Sequence, residues 1–124
     1  MSHNVLLECA FALEVGHYMP NFPEGHPNRR IHGHSYQGLL RLKGPIDPSS
    51  GVLIELSDLQ GQVSKIVEDF DHRMLNEIPG LEFPTTENLA RVLYHRFREA
   101  IPFVYQVELL RPTLGMRVCF GENL

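Results

Sequence analysis

His32-Gly33-His34 places two imidazoles two residues apart. On a β-strand both would point to one face, because strand side chains alternate with period two. The same parity continues as Tyr36, Leu40 and Leu42, while Ser35, Gln37, Arg41 and Lys43 take the other side. Upstream, Phe11, Leu13, Val15 and His17 also share one parity, with Glu14 opposite. Laying that strand beside the first brings His17 next to His32 and His34. Three neutral imidazoles with a fourth position open describe a catalytic zinc site rather than a structural one. A His-x-His pair on a surface strand is commonplace by itself. Three histidines on apolar faces are what make a candidate metal centre.

These residues need a scaffold, and the chain is long enough for one. Its 124 residues, 43% hydrophobic and 21% charged, are read as a single domain, residues 1–124, with a real core. A net charge of −4 and no basic cluster beyond Arg29-Arg30 argue against nucleic acid as a partner. No signal-like apolar run follows Met1 and no stretch approaches a membrane span, so a cytoplasmic protein without a membrane partner is expected. Cys9 and Cys119 make no disulfide framework; each is expected to be a small buried hydrophobe in a strand.

Alternation predicts strands over 5–17 and 31–43. Between them, residues 18–30 are a loop rich in Pro, Gly and Asn, where binding groups commonly sit. Ser57-Asp58-Leu59-Gln60 reads as a capping-box start, and Leu59, Val63, Ile66, Val67 and Phe70 recur at helical spacing to about Phe70. Thr85-Thr86 opens a second helix with Glu87 in its first turn, and Leu89, Val92, Leu93 and Phe97 form its buried stripe. Tyr105, Val107 and Leu109 alternate as a third strand ending at Arg111, and Leu114, Met116, Val118 and Phe120 as a fourth. The order strand, strand, helix, helix, strand, strand predicts an α+β fold: a four-stranded antiparallel sheet with two helices on one face. One sheet face and two edges are then left for a partner, so self-assembly into a ring or barrel is expected.

The chain resembles the 6-pyruvoyl-tetrahydropterin synthase family, which includes the bacterial 6-carboxytetrahydropterin synthases of the queuosine pathway. The resemblance is carried by Val15-Gly16-His17, Pro23-Glu24-Gly25-His26, His32-Gly33-His34-Ser35-Tyr36, Asp71-His72-Arg73-Met74-Leu75-Asn76 and Pro84-Thr85-Thr86-Glu87-Asn88-Leu89-Ala90. It implies a tunnelling fold in which trimers close a barrel and two trimers stack as a hexamer, with sites at subunit interfaces. It implies Zn2+ on His17, His32 and His34, and proton transfer by Asp71 and His72 together with a cysteine. It also implies chemistry on a dihydropterin side chain, with substrate contacts from the neighbourhood of His26, Asn28, Thr85, Thr86, Glu87 and Arg111. By itself, Asp71-His72 could equally be a helix C-terminal cap, where histidine suits the dipole.

Two positions depart from the family pattern. Its catalytic cysteine, four residues before the first His of His-Gly-His, is replaced here by Asn28, whose amide does not titrate near neutral pH. The glutamate that grips the pterin's amino-pyrimidine is replaced by Arg111. Arginine offers five donors and no acceptor, which disfavours an aminopterin and favours a carboxylate, phosphate or carbonyl-rich ligand. Glu108 is no substitute, because three residues along a strand reverse the face. Two readings remain open. One is a zinc-dependent carbon–oxygen or carbon–carbon lyase with a changed substrate, with His72 as proton carrier. The other is an inactive homologue that holds zinc and an anionic small ligand.

Overall fold

A computed structural model, describing residues 3–124, has the predicted element order. Strands β1 (Asn4–His17) and β2 (His32–Pro45) form a long hairpin. Helices α1 (Leu56–Val67) and α2 (Thr86–Ala100) follow, and β3 (Val104–Arg111) and β4 (Met116–Gly121) complete the chain. All pairings are antiparallel and the sheet order is β1-β2-β3-β4. Leu13 and Val15 of β1, Tyr36, Leu40 and Leu42 of β2, and Val107 and Leu109 of β3 share one core with Leu59, Val63 and Ile66 of α1 and Leu89, Leu93 and Phe97 of α2. Both helices therefore cover one sheet face, the face to which the parity argument assigned the imidazoles. Among the described residues no helix is long and apolar enough to cross a membrane.

The hairpin register sets the site. His17 pairs with His32, Val15 with His34 and Leu13 with Tyr36. Gly33, between the two histidines, lies where an added Cβ would come within 3.1 Å of the Val15 carbonyl oxygen. The glycine thus keeps the strands close at the point where the imidazoles meet.

Helix α2 begins as its sequence predicts. Thr85 is the N-cap, and its hydroxyl accepts from the Asn88 amide at 3.1 Å. Helix α1 begins two residues earlier than the Ser57 box suggests. Glu55 is the N-cap, and its carboxylate accepts from the amides of Ser57 and Asp58 at 3.1 and 2.6 Å. The extended backbone at Glu55 points its longer side chain back over the first turn, so Ser57 falls inside the helix. The helix also stops at Val67; Phe70 is buried from the turn beyond it. Leu114 is likewise not in the fourth strand but exposed in the turn before it.

The other sheet face is polar. Arg41 donates to Glu8 at 2.7 Å and to Glu108 at 3.0 Å, and Arg117 reaches Glu108 at 3.1 Å. Glu108 is thus turned away from the histidines, as the parity argument requires. Cys119 also lies here, with its thiol 3.5 Å from the Gln106 side-chain oxygen and 3.6 Å from Arg41. It is therefore not a core residue: Val118 and Phe120 take the inward positions of β4. Cys9 packs half-buried against the core.

A candidate metal centre at the end of the hairpin

The last residue of β1 and the first of β2 carry the first two imidazoles, and His34 adds the third one step along the same face. Their ring centroids lie 4.5, 4.7 and 4.8 Å apart, and one nitrogen from each ring falls within 4.8 Å of the others. His17 is buried at 5% exposure, while His32 and His34 are half-buried.

Two backbone carbonyls set the orientation of the first pair. His17 Nδ1 lies 2.7 Å from the Pro84 oxygen and His32 Nδ1 lies 2.6 Å from the Arg30 oxygen. A carbonyl only accepts, so each Nδ1 carries a proton and each Nε2 presents a lone pair. Those two Nε2 atoms face each other at 3.0 Å. Two lone pairs at that distance repel unless a cation sits against them. Burial pushes the His17 pKa below its ordinary 6.5, with the charges of His32 and Arg111 acting in the same direction. Burial, then the Arg111 charge, brings His34 down to about 4. Neutral imidazoles held by carbonyls are the usual ligands of a metal ion. The donor set fits zinc with a fourth position open to a ligand.

The triad opens into a pocket of about 420 Å3, within the range of small-molecule sites. Asn28, Thr85, Thr86, Glu87 and Arg111 line it together with the three histidines. Met19, Phe22 and Leu114 complete the wall and supply its apolar surface. No spacing pattern in the sequence singles out these three. The buried Tyr36 hydroxyl lies 3.1 Å from Thr86 Oγ1, tying β2 to the first turn of α2.

Arg111, at the end of β3, points into the pocket, and its Nη2 donates to His34 Nδ1 at 2.9 Å. Its Nε is buried without a hydrogen-bond partner. An uncompensated buried donor costs about 1–3 kcal/mol, so the guanidinium is held in place short of its full set of contacts.

His26 stands apart from these residues. It caps the short 3-10 turn Pro27–Arg29, where its Nδ1 accepts from the Asn28 amide at 3.1 Å, and its ring meets that of Phe22 edge to face. It does not line the triad pocket of its own chain.

Asp71 and His72 are also outside that pocket. The segment 71–74 runs along the edge of β1, with the His72 amide donating to the Glu14 oxygen at 2.6 Å and the Gly16 amide donating to the Arg73 oxygen at 3.0 Å. Asp71 Oδ1 accepts from the Glu14 amide at 2.8 Å and Oδ2 lies 2.9 Å from His72 Nδ1. That amide, and then His72, hold the Asp71 pKa below the ordinary carboxylate value. His72 adopts φ 59° and its side chain is 77% exposed in a groove with Glu14, Ser35 and Arg73. The dyad is preassembled, but it is not a helix cap, since α1 ends at Val67. Its groove is lined by Glu14 and Ser35, of the parity opposite to the imidazoles, and shares only His34 with the triad pocket.

A family model described as 6-pyruvoyl tetrahydropterin synthase matches residues 7–119. The chain belongs to that family. It is 35% identical to a 6-carboxy-5,6,7,8-tetrahydropterin synthase from Synechocystis sp. over 121 residues, covering 92% of each chain. It is 29% identical to the human 6-pyruvoyl tetrahydrobiopterin synthase over 101 residues, 77% of this chain and 70% of the other. The solved structure of the Caenorhabditis elegans 6-pyruvoyl tetrahydropterin synthase superposes with a TM-score of 0.86 at 20% identity, covering 98% of both chains. Pterin synthase homology and the fold are thus shown together.

Proposed function

We propose that this protein is a zinc-dependent lyase of the pterin synthase type, acting in the cytoplasm on a substrate altered from that of its relatives. The observation that carries the metal is the 3.0 Å approach of the His17 and His32 Nε2 lone pairs, each fixed by a carbonyl behind its ring. Zinc bound there would polarise a side-chain oxygen of the substrate. Thr85, Thr86 and Glu87 shape the pocket wall next to it.

The proton carrier in this reading is His72, oriented by Asp71, and it would come from a second copy of the chain. Support comes from the preassembled dyad lying exposed at one edge of the sheet while the triad pocket lacks any such group. Strands β1 and β4 are the sheet's two edge strands, β1 being covered by segment 71–74 only near Glu14–Gly16, and joining them around a ring would close a barrel. The proposed assembly is the homo-oligomer expected from the family, a hexamer built from two trimers.

Asn28 lines the pocket at the position for which the family resemblance implies a titrating cysteine, and its amide cannot take a proton at neutral pH. Together with Arg111 it favours a second reading, a homologue that binds zinc and an anionic ligand without turnover. One experiment tests the zinc site both readings share and the pterin version of the first. Freshly purified protein is analysed for zinc, then assayed with dihydroneopterin triphosphate as wild type and as the Asn28→Cys, Arg111→Glu double variant. Stoichiometric zinc with synthase activity appearing only in the double variant supports the shared scaffold and identifies these two residues as the switch. Absence of zinc from the wild type refutes both readings. Zinc without gain of activity leaves the non-catalytic reading in place and ends the pterin version.

A further inference from the structure

We propose that Arg111 competes with the metal for His34, and that an oxyanion entering the pocket, a carboxylate or a phosphate, removes the competition by taking the guanidinium. This rests on the zinc reading above. A neutral imidazole has one in-plane lone pair and one N–H. Arginine has only donors, so its 2.9 Å contact with His34 Nδ1 uses that lone pair and leaves the ring's proton on Nε2. His17 and His32 are in the opposite tautomer, with Nδ1 protonated against carbonyl oxygens. His34 cannot accept from Arg111 and coordinate a metal at the same time, whichever nitrogen would be the ligand. The site as folded is therefore two open ligands and one occupied by arginine.

What would draw Arg111 away is legible from what it lacks. No carboxylate among the described residues lies within 4.0 Å of its guanidinium, unlike those of Arg41, Arg96, Arg98 and Arg117. Its buried Nε has no partner at all. An oxyanion with two oxygens beside Nε and an Nη would satisfy both donors in the bidentate geometry arginine favours. His34 would then be free to turn its lone pair to the ion. Metal and anion binding are coupled in this arrangement, and by linkage each raises the affinity for the other.

The test begins with metal-free wild type, where long-range 1H–15N spectra of the histidine rings read each tautomer directly. His34 is expected with its proton on Nε2, and His17 and His32 with theirs on Nδ1. A His34 proton on Nδ1 would overturn the proposal without any metal present. Zinc affinity is then measured by chelator competition, with and without pyruvate or methyl phosphate as probes. Wild type should bind zinc more tightly with a probe present, and whichever of the two is effective identifies the class of oxyanion. Arg111→Met should bind zinc about tenfold or more tightly without any probe, the order expected for one charge-assisted hydrogen bond, and should lose the dependence on the probe. Equal zinc affinity in wild type and variant, or no effect of either probe on wild type, refutes the coupling. Failure of both proteins to bind zinc, with the tautomers as assigned, refutes instead the zinc reading on which it rests.

Discussion

His17 Nδ1 lies 2.7 Å from the carbonyl oxygen of Pro84, the residue immediately before the N-cap of α2. The turn that starts the second helix therefore also aims the first imidazole of the triad. Sixty-seven residues separate the two in the chain. The same turn supplies Thr85 and Thr86 to the pocket, so helix start and site are one local structure.

Removing any of the three imidazoles should abolish stoichiometric zinc. His17→Ala, His32→Ala and His34→Ala are each expected to lose the metal on gel filtration, as read by elemental analysis. Wild type should gain thermal stability on adding zinc, by about 4 kcal/mol at a thousand times its dissociation constant. An alanine variant showing the same zinc-induced rise in Tm would show that its histidine is no ligand.

A site assembled from two copies predicts complementation. His32→Ala and His72→Ala oligomers should each be inactive with whatever substrate the wild type turns over. Unfolding and refolding them together should restore part of the activity, because some interfaces then combine an intact triad with an intact dyad. No recovery in mixed oligomers, verified as mixed by mass spectrometry, would place both halves of the site in one chain.

The cap at Thr85 should be visible in stability. Thr85→Ala removes the acceptor for the Asn88 amide and should cost about 1 kcal/mol, a fall in Tm of about 4 °C for a domain of this size. Zinc content should fall as well, since the Pro84 carbonyl that orients His17 precedes this residue directly. A destabilised variant with unchanged zinc affinity would separate the cap from the site.

Stability of the metal-free protein should decline as pH falls, in two windows. His34 is held down to about 4 in the folded state against an ordinary value of 6.5, so the unfolded chain binds the extra proton between those values. Its contribution is complete above pH 6.5 and is lost as pH falls towards 4. Asp71 is held below its ordinary 3.8, and its contribution is lost as pH drops further through the folded value. His34→Gln should flatten the first part of the Tm–pH curve and Asp71→Asn the second. Unchanged slopes in the variants would remove these groups as the cause.

Much of this arrangement was legible in the order of residues. Period-two alternation placed His17, His32 and His34 on the core face with Leu13, Val15, Tyr36 and Leu40, since burial of one sheet face leaves no other choice. Thr85 and the stripe of α2 were equally readable, because a cap and a helical period are local properties. The start of α1 was not. A serine three residues ahead of a glutamine at the start of a helical run looks like an N-cap, and only the extended backbone at Glu55 shows which side chain reaches the free amides. Cys119 departs from the expected buried position for a simpler reason: Val118 and Phe120 take the core-facing parity of the fourth strand, which leaves Cys119 with Arg117 on the polar face.

The types and parity of the histidines, and the presence of Asn28 and Arg111, belong to the sequence alone. The tertiary structure decided the rest. It set His17 opposite His32 rather than two residues away, through a register fixed along fourteen paired positions. It swung Arg111 onto His34, across 77 residues of chain, and placed Asp71 and His72 along the β1 edge instead of in the pocket. Periodicity reports only what a residue's neighbours in the chain allow. Which lone pair meets which donor depends on strands brought together from distant positions, and that is a property of the packed molecule.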